Sequence, residues 1–197
     1  MKPLVFVWPY AVVFWILFLW AFTPEWRIIL KAQQRVKKRE SKDDASLRII
    51  TVGMQTSSLV AFLLPFVLGS WFQAGNQSAW FLVGVLLLFS GGLLRRHCWR
   101  MLGEYFTGEV IAKPEQQVIS TGAYKWIRHP SYTAGIMMMA GIGLAFGNWA
   151  SFVVLVGTAF AVYLYRIRVE ERALVETLGG AYQSYMEGRK RLIPFIF

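Results

Sequence analysis

The chain has 197 residues, of which 56% are hydrophobic, and it carries a net charge of +10 with a mean hydropathy of +0.43. Soluble domains of this length are usually less apolar, so the composition predicts an integral membrane protein. Cys98 is the only cysteine, which excludes an intrachain disulfide. Because His97 and His129 are the only histidines, we expect no metal site.

Five apolar stretches are candidates for membrane-spanning helices, which need roughly 20 residues each to cross a bilayer. In chain order they are residues 3–23, 49–72, 79–94, 132–146 and 149–165. The first lacks a small-residue cleavage site, so we expect it to span rather than to be a signal peptide. Only Gly147 and Asn148 separate the last two, which predicts a helical hairpin. The predicted fold class is an all-α integral membrane protein with about five transmembrane helices.

The charged residues indicate how these spans are oriented. Apart from Lys2, every Lys, Arg, Asp and Glu falls in residues 25–48, 95–128 and 166–191, and the connections 70–78 and 147–150 have none. Five spans therefore bring the three charged segments to one side. Because basic residues predominate there, we expect that side to be cytoplasmic and the N-terminus to lie outside, in the cell membrane of a prokaryote or the endoplasmic reticulum of a eukaryote. The basic excess is then a topology signal, so we expect no nucleic-acid partner.

The sequence "YKWIRHPSYTAG" stands at the entrance to the fourth span. Proline is favoured at the first position of a helix, so Pro130 predicts a helix start with His129 as its cap. Free N–H groups of such a first turn favour an anion. Hydroxyls and flat rings surround it, from Tyr124, Trp126, Ser131 and Tyr132. An ordinary membrane boundary would use the same ingredients.

The last span predicts a helix that continues beyond the bilayer. Residues 149–178 contain no proline and no glycine after Gly157, which corresponds to about 45 Å of helix. Gly179 and Gly180 predict its end, and a short helix is expected to follow. The extension carries Arg166, Arg168, Glu170 and Glu171. Arg166 and Glu170 share a helical face, and one of the two glutamates can face a pocket while the other faces solvent or a partner. A solvated charged face is the plainer interpretation.

The two charged clusters together suit a ligand with both signs of charge and an aromatic or cationic group. S-adenosylmethionine is such a ligand, and a phospholipid headgroup or a nucleotide uses similar groups.

The sequences "VISTGAYKWIRHPSYTAG" and "YRIRVEERALVETLGGAYQSYMEGRKRLIP", separated by one hairpin, resemble the isoprenylcysteine carboxyl methyltransferase family. The resemblance covers residues 116–195, whereas residues 1–95 match only as spans. It implies an integral membrane enzyme with a cytoplasmic cofactor site. Such an enzyme transfers a methyl group from S-adenosylmethionine to a lipid-linked acceptor.

The resemblance also implies roles for individual residues. Glu170 would bind the amino group of the cofactor, and Arg128 would be either a ligand of its carboxylate or a structural anchor. Arg166 or Arg168 would face the acceptor carboxylate, since both precede the acidic pair. The remaining cofactor-binding candidates are Gln117, Val118, Ile119, Tyr124, His129, Pro130, Ser131, Tyr132 and Glu171.

The sequence thus predicts a single membrane domain. Residues 1–95 form three spans and a basic loop, and residues 96–197 form the cofactor-binding, catalytic half. The expected partners are a lipid-like or prenylated small-molecule substrate and membrane lipid. Three other functions stay open: a phospholipid N-methyltransferase, an NADPH-dependent oxidoreductase resembling sterol reductases, and a non-enzymatic membrane protein.

Overall fold

The computed structural model describes residues 2–37, 44–69, 73, 75–103 and 116–197. Parts of the predicted charged segments 25–48 and 95–128 and of the neutral connection 70–78 therefore lie outside the described residues. The described chain is nearly all helical. Its α-helices are α1 (Tyr10–Lys37), α2 (Asp44–Val67), α3 (Gln77–Leu102), α4 (Pro130–Ala145), α5 (Trp149–Leu178) and α6 (Gly180–Met186), with short 3₁₀ helices at Leu4–Phe6 and Gly122–Lys125.

The helices predicted near the motifs are confirmed. Helix α4 begins at Pro130 with His129 as its N-cap residue. Helix α5 has 30 residues and ends at Leu178, and its C-cap residue, Gly179, has a φ of +54°, a conformation that favours glycine. At its start the side chain of Asn148 accepts a hydrogen bond from the backbone N–H of Ser151 at 3.1 Å. This N-cap allows the turn of the α4–α5 hairpin to be short.

Several predicted boundaries are wrong. The second helix runs from Asp44 to Val67 and not from residue 49 to residue 72. The first helix starts at Tyr10 and not at residue 3, because Pro9 lacks an N–H and restricts the residue before it. The third helix ends at Leu102 and not at residue 94, since no breaker precedes Gly103, whose φ is +53°. Arg95, Arg96 and Arg100 therefore lie on α3 rather than in a connection.

Three helical segments of the described chain are long and apolar enough to cross a membrane: Arg48–Val67, Gln77–Leu102 and Trp149–Leu178. The apolar part of α1, Tyr10–Trp26, is shorter, and α4 has 16 residues. The chain is thus an integral membrane protein, with five apolar helices of which three reach spanning length.

The two uncharged connections meet at one end of the helices. Gln73 forms an antiparallel bridge with Asn148, and a Cβ placed at Gly147 would touch the side chain of Gln77. The carboxylate of Glu25, the guanidinium of Arg95 and the motif at the start of α4 lie together elsewhere in the fold. The described residues of the two neutral connections therefore lie close together.

Helices α3 and α4 pack through glycine. A Cβ placed at Gly84 would lie 2.5 Å from the carbonyl oxygen of Gly141, and one at Gly141 would lie 2.6 Å from that of Gly84. Ala134 likewise faces α3, at Gly91, whereas Gly143 packs against Phe152 of α5. The small residues of α4 thus serve two neighbouring helices, which is typical of close packing within membranes.

Two helix-interior prolines leave carbonyl groups that side chains from other helices occupy. Pro24 cannot donate to the carbonyl of Trp20, which accepts a hydrogen bond from the guanidinium of Arg96 on α3. Pro65 cannot donate to the carbonyl of Ala61, which accepts one from the Ser151 hydroxyl on α5 at 2.8 Å. Since an unpaired carbonyl is costly in a membrane, each proline also attaches its helix to a neighbour.

Replacing glycine by alanine should have opposite effects on stability at Gly84, which packs against α4, and at Gly157 of α5, which has open space around it. Gly84→Ala should destabilise the protein by about 1–3 kcal/mol, because backbone atoms of α4 block the new methyl group. Gly157→Ala should stabilise it by about 1 kcal/mol, because no atom lies within 4 Å of the added Cβ and alanine favours helix. Thermal unfolding in detergent measures both. Equal midpoints for the two variants would contradict the packing described here.

Candidate functional site

The first turn of α4 is held by the segment that follows α6. The backbone N–H of Arg128 donates to the carbonyl of Lys190 at 2.8 Å, and that of His129 donates to the carbonyl of Arg191 at 3.0 Å. The hydroxyl of Thr133 donates to the carbonyl of Leu192 at 2.7 Å. The basic stretch before the final Ile-Pro thus lies beside the Arg-His-Pro motif like an added strand.

These bonds correct one expectation about the turn. Pro130 has no N–H, His129 donates to Arg191, and the N–H groups of Tyr132 and Thr133 both donate to the carbonyl of His129. The sequence predicted several free N–H groups aimed at an anion. The turn instead uses most of them within the protein, so recognition of a ligand must come mainly from side chains.

Glu171 is the centre of a buried ionic cluster. Its Oε1 lies 3.1 Å from Nη1 of Arg128 and 3.1 Å from Nε2 of His129. Its Oε2 accepts hydrogen bonds from Nη2 and Nε of Arg191 at 2.8 and 3.1 Å. The residue is 5% exposed, so both carboxylate oxygens are occupied by protein groups.

Glu170 has a different environment. Its Oε2 accepts a hydrogen bond from the hydroxyl of Tyr132 at 2.6 Å and lies 4.0 Å from Nδ1 of His129. The side chain is 33% exposed, against 7% for that of Glu171. His129 therefore stands between the two carboxylates, and only Glu170 is open to a ligand.

Three rings form a row next to this carboxylate. His129 and Tyr132 are stacked with centroids 5.7 Å apart, and Tyr132 and Tyr163 with centroids 5.0 Å apart. Gly135 makes room for the row, since a Cβ there would lie 2.5 Å from the hydroxyl oxygen of Tyr163. The final glycine of the motif thus serves the site and not only helix packing.

The two candidate arginines of α5 have different environments. Arg166 is 4% exposed and interacts with the side chain of Tyr132, whereas Arg168 is exposed. Residues two apart on a helix point in directions about 200° apart, so both cannot face one site. The structure brings Arg166 to Tyr132 and Glu170 and leaves Arg168 outside.

Tyr124 is buried at the edge of the site, and its carbonyl accepts a hydrogen bond from the hydroxyl of Tyr185 at 2.9 Å. Burial raises the pKa of Tyr185 to about 12 and raises the pKa values of Tyr124 and Tyr182 well above their usual range. These phenols stay neutral at physiological pH and can donate hydrogen bonds.

The extended segment before Tyr124 carries three further candidates. Gln117 is exposed, and Val118 and Ile119 are half-buried. In the part of the chain that the structure describes, no cluster of three metal-ligating side chains is found.

Sequence reasoning missed several residues of the site. Arg95 donates from Nη1 to the carbonyl and the hydroxyl oxygen of Ser131, at 2.6 and 2.9 Å, and forms an ion pair with Glu25. Arg191 binds Glu171, and Tyr163 ends the aromatic row. The absence of a helix breaker before Gly103 was the available signal for Arg95, because it predicts that α3 continues through it.

Comparisons with known proteins agree with the resemblance. The family model described as "Isoprenylcysteine carboxyl methyltransferase (ICMT) family" matches residues 83–176. The protein-S-isoprenylcysteine O-methyltransferase of Saccharomyces cerevisiae is 33% identical over 116 residues, which are 58% of this chain and 48% of that protein. The protein of the same name from Schizosaccharomyces pombe is 28% identical over 138 residues, 69% of this chain and 55% of its own length.

A solved structure has the same fold. It is the structure of the eukaryotic intramembrane Ras methyltransferase ICMT, and it matches with a TM-score of 0.59 at 21% sequence identity, over 75% of this chain and 52% of that one. The chain thus spans about half the length of these relatives.

The Glu171 cluster predicts a large loss of stability when its charge is removed. Glu171→Gln should destabilise the protein by about 3 kcal/mol, because Arg128 and Arg191 lose their buried counter-charge. Glu176→Gln is the matched control, since Glu176 is exposed on the same helix. Thermal unfolding in detergent compares the two, and identical midpoints would show that the cluster is not a structural junction.

Proposed function

Because residues 83–176 match the isoprenylcysteine carboxyl methyltransferase family, we propose that the chain belongs to this family and transfers a methyl group from S-adenosylmethionine to the carboxylate of an isoprenylcysteine-like acceptor. The observation that carries the proposal is the joining of Glu170, Tyr132 and the buried Arg166 beside the Arg-His-Pro turn. One anionic, one aromatic and one cationic group meet there. A small zwitterionic ligand and an acidic acceptor need such a set.

The described residues fit the cofactor. The partly exposed carboxylate of Glu170 would hold its ammonium group beside the hydroxyl of Tyr132. When bound, the cofactor supplies an electrophilic methyl group. Further contacts are assigned to the turn and to the segment before it, at Gln117, Val118, Ile119, Tyr124, Pro130 and Ser131.

Arg128 and Glu171 act as supports in this proposal. The ion pair between them, 3.1 Å long and largely buried, favours an anchoring role for Arg128 over direct binding of the cofactor carboxylate. Glu171 is shielded from ligands by Arg128, His129 and Arg191. The pair fixes the turn against α5 so that Glu170 and Tyr132 face one space.

Arg166 is the residue that we assign to the acceptor. A carboxylate is ionised at neutral pH and needs no general base to attack a methyl group. It needs alignment and removal of water, and a guanidinium can align it through two parallel hydrogen bonds. The burial of Arg166 strengthens that interaction, whereas the exposed Arg168 lacks this advantage.

The membrane organises access to the site. We propose that the charged ends of the helices, the site and the C-terminus are cytoplasmic, as the positive-inside rule indicates. The cofactor then enters from the cytoplasm, and the lipid tail of the acceptor enters laterally between helices. In this proposal all five apolar helices lie within the membrane, with α1 and α4 as its shorter members.

Methyl transfer is tested with membranes containing the protein, methyl-labelled S-adenosylmethionine and an isoprenylcysteine acceptor. The expected product is a methyl ester, so mild alkali should release volatile labelled methanol. Membranes lacking the protein are the control. Alkali-stable label in lipid would indicate a phospholipid N-methyltransferase instead. Absence of both transfer and cofactor binding would refute the transferase and favour an oxidoreductase or a non-enzymatic protein.

Glu170 is tested by its effect on cofactor affinity. Glu170→Gln should weaken binding of S-adenosylmethionine by roughly 10- to 100-fold, the range expected when a hydrogen bond to a charged group is lost. Isothermal titration calorimetry of the purified protein measures the affinity, with Glu176→Gln as the control on the same helix. Unaltered affinity in Glu170→Gln would overturn the assignment of the ammonium group to Glu170.

A further inference from the structure

A buried network outside the two motifs reaches the first turn of α4. Arg95 on α3 is 8% exposed, and its Nη1 donates to the carbonyl oxygen of Ser131 at 2.6 Å and to the hydroxyl oxygen at 2.9 Å. Its Nε and Nη2 donate to the two oxygens of Glu25 on α1, at 2.5 and 3.2 Å. One guanidinium thus connects three helices.

The neighbouring arginine provides an internal comparison. Arg96 donates to the carbonyl of Trp20 and lies over the ring of the same residue, with 4.5 Å between the guanidinium and the ring centroid. Both arginines therefore connect α3 to α1, Arg95 through Glu25 and Arg96 through Trp20. Of the two, Arg95 is the one with hydrogen bonds to α4.

The bonded residue lies next to the proposed cofactor site. Ser131 directly precedes Tyr132, whose hydroxyl binds Glu170 and whose ring stacks between His129 and Tyr163. A rotation of the first turn of α4 would move that ring and its hydroxyl together. The two bonds from Arg95 to Ser131 oppose this rotation, and they come from α3, whereas Glu171 holds the turn from α5.

We propose that Arg95, neutralised by Glu25, is a positioning residue that orients Tyr132 for binding of S-adenosylmethionine. The inference rests on the proposed function. Glu25 is needed because a buried guanidinium without a counter-charge is unfavourable and would seek water or another partner. A residue of α1, which lies outside the matched family region, thereby contributes to the site.

The test compares Arg95→Gln with Arg96→Gln in the full chain. Both changes loosen α1 from α3, so both should lower the thermal midpoint. Arg95→Gln alone should weaken binding of S-adenosylmethionine, by about tenfold, since only it removes the charged donor to Ser131. Hydrogen exchange of the backbone amides of residues 131–135 should be faster in Arg95→Gln than in Arg96→Gln.

Exchanging the charges of Glu25 and Arg95 distinguishes an effect on the position of Tyr132 from an effect on the stability of the fold. Glu25→Arg combined with Arg95→Glu restores an ion pair between α1 and α3, yet a carboxylate cannot donate to the carbonyl of Ser131. The thermal midpoint should recover while cofactor affinity stays low and exchange stays fast. Glu25→Gln, which keeps the size of the side chain, should shift affinity in the same direction by a smaller factor.

Two results would overturn the inference: wild-type affinity and exchange in Arg95→Gln, or recovery of affinity together with stability in the exchanged pair. Failure of the proposed function gives a different result, because the wild-type protein itself would then bind no S-adenosylmethionine. Hydrogen exchange in the two arginine variants still decides in that case whether Arg95 holds the first turn of α4.

Discussion

The arrangement of the site depends on one buried carboxylate. Glu171 on α5 binds Arg128 and His129 of the Arg-His-Pro turn and Arg191 of the segment after α6, and so joins three parts of the chain. The cluster forms because α5 extends beyond the apolar part of its sequence and α4 starts at a fixed residue. Since Glu171 is fully engaged, its neighbour Glu170, about 100° around the helix, remains open to a ligand. Two adjacent glutamates therefore have separate tasks.

Membrane burial explains why so many polar contacts in this fold cross between helices. A carbonyl left without a partner in hydrocarbon is costly, and a donor from another helix is one way in which a helix-interior proline is tolerated. Arg96 does so for the carbonyl freed by Pro24, and Ser151 for the one freed by Pro65. The same requirement places Glu25 beside Arg95. The prolines that weaken individual helices thus fix how the helices pack.

Local signals in the sequence predict the helices around the site. They do not predict which residues pair with the charged side chains on those helices. The start of α4 follows from Pro130, and the end of α5 from Gly179, because these residues restrict their own backbone. The hydropathy pattern predicts that Arg95 lies in a connection, because charged residues are usually exposed to solvent. Its partner Glu25 is 70 residues away and leaves no periodic signal near it. The choice between Arg166 and Arg168 likewise needed the rotation of α5 about its axis, which packing against Tyr132 determines.

The region matched by the family model, residues 83–176, can be compared with the residues outside it. Residues 83–176 contain Tyr132, Arg166 and Glu170, the groups proposed to meet ligands. Glu25 and Arg191 lie outside it, and each compensates a charge within it. Without Glu25 the buried guanidinium of Arg95 would lose its counter-charge, and without Arg191 one oxygen of Glu171 would lose its partner. The parts of the chain that do not touch the proposed ligands therefore set the geometry in which the ligand-binding groups meet.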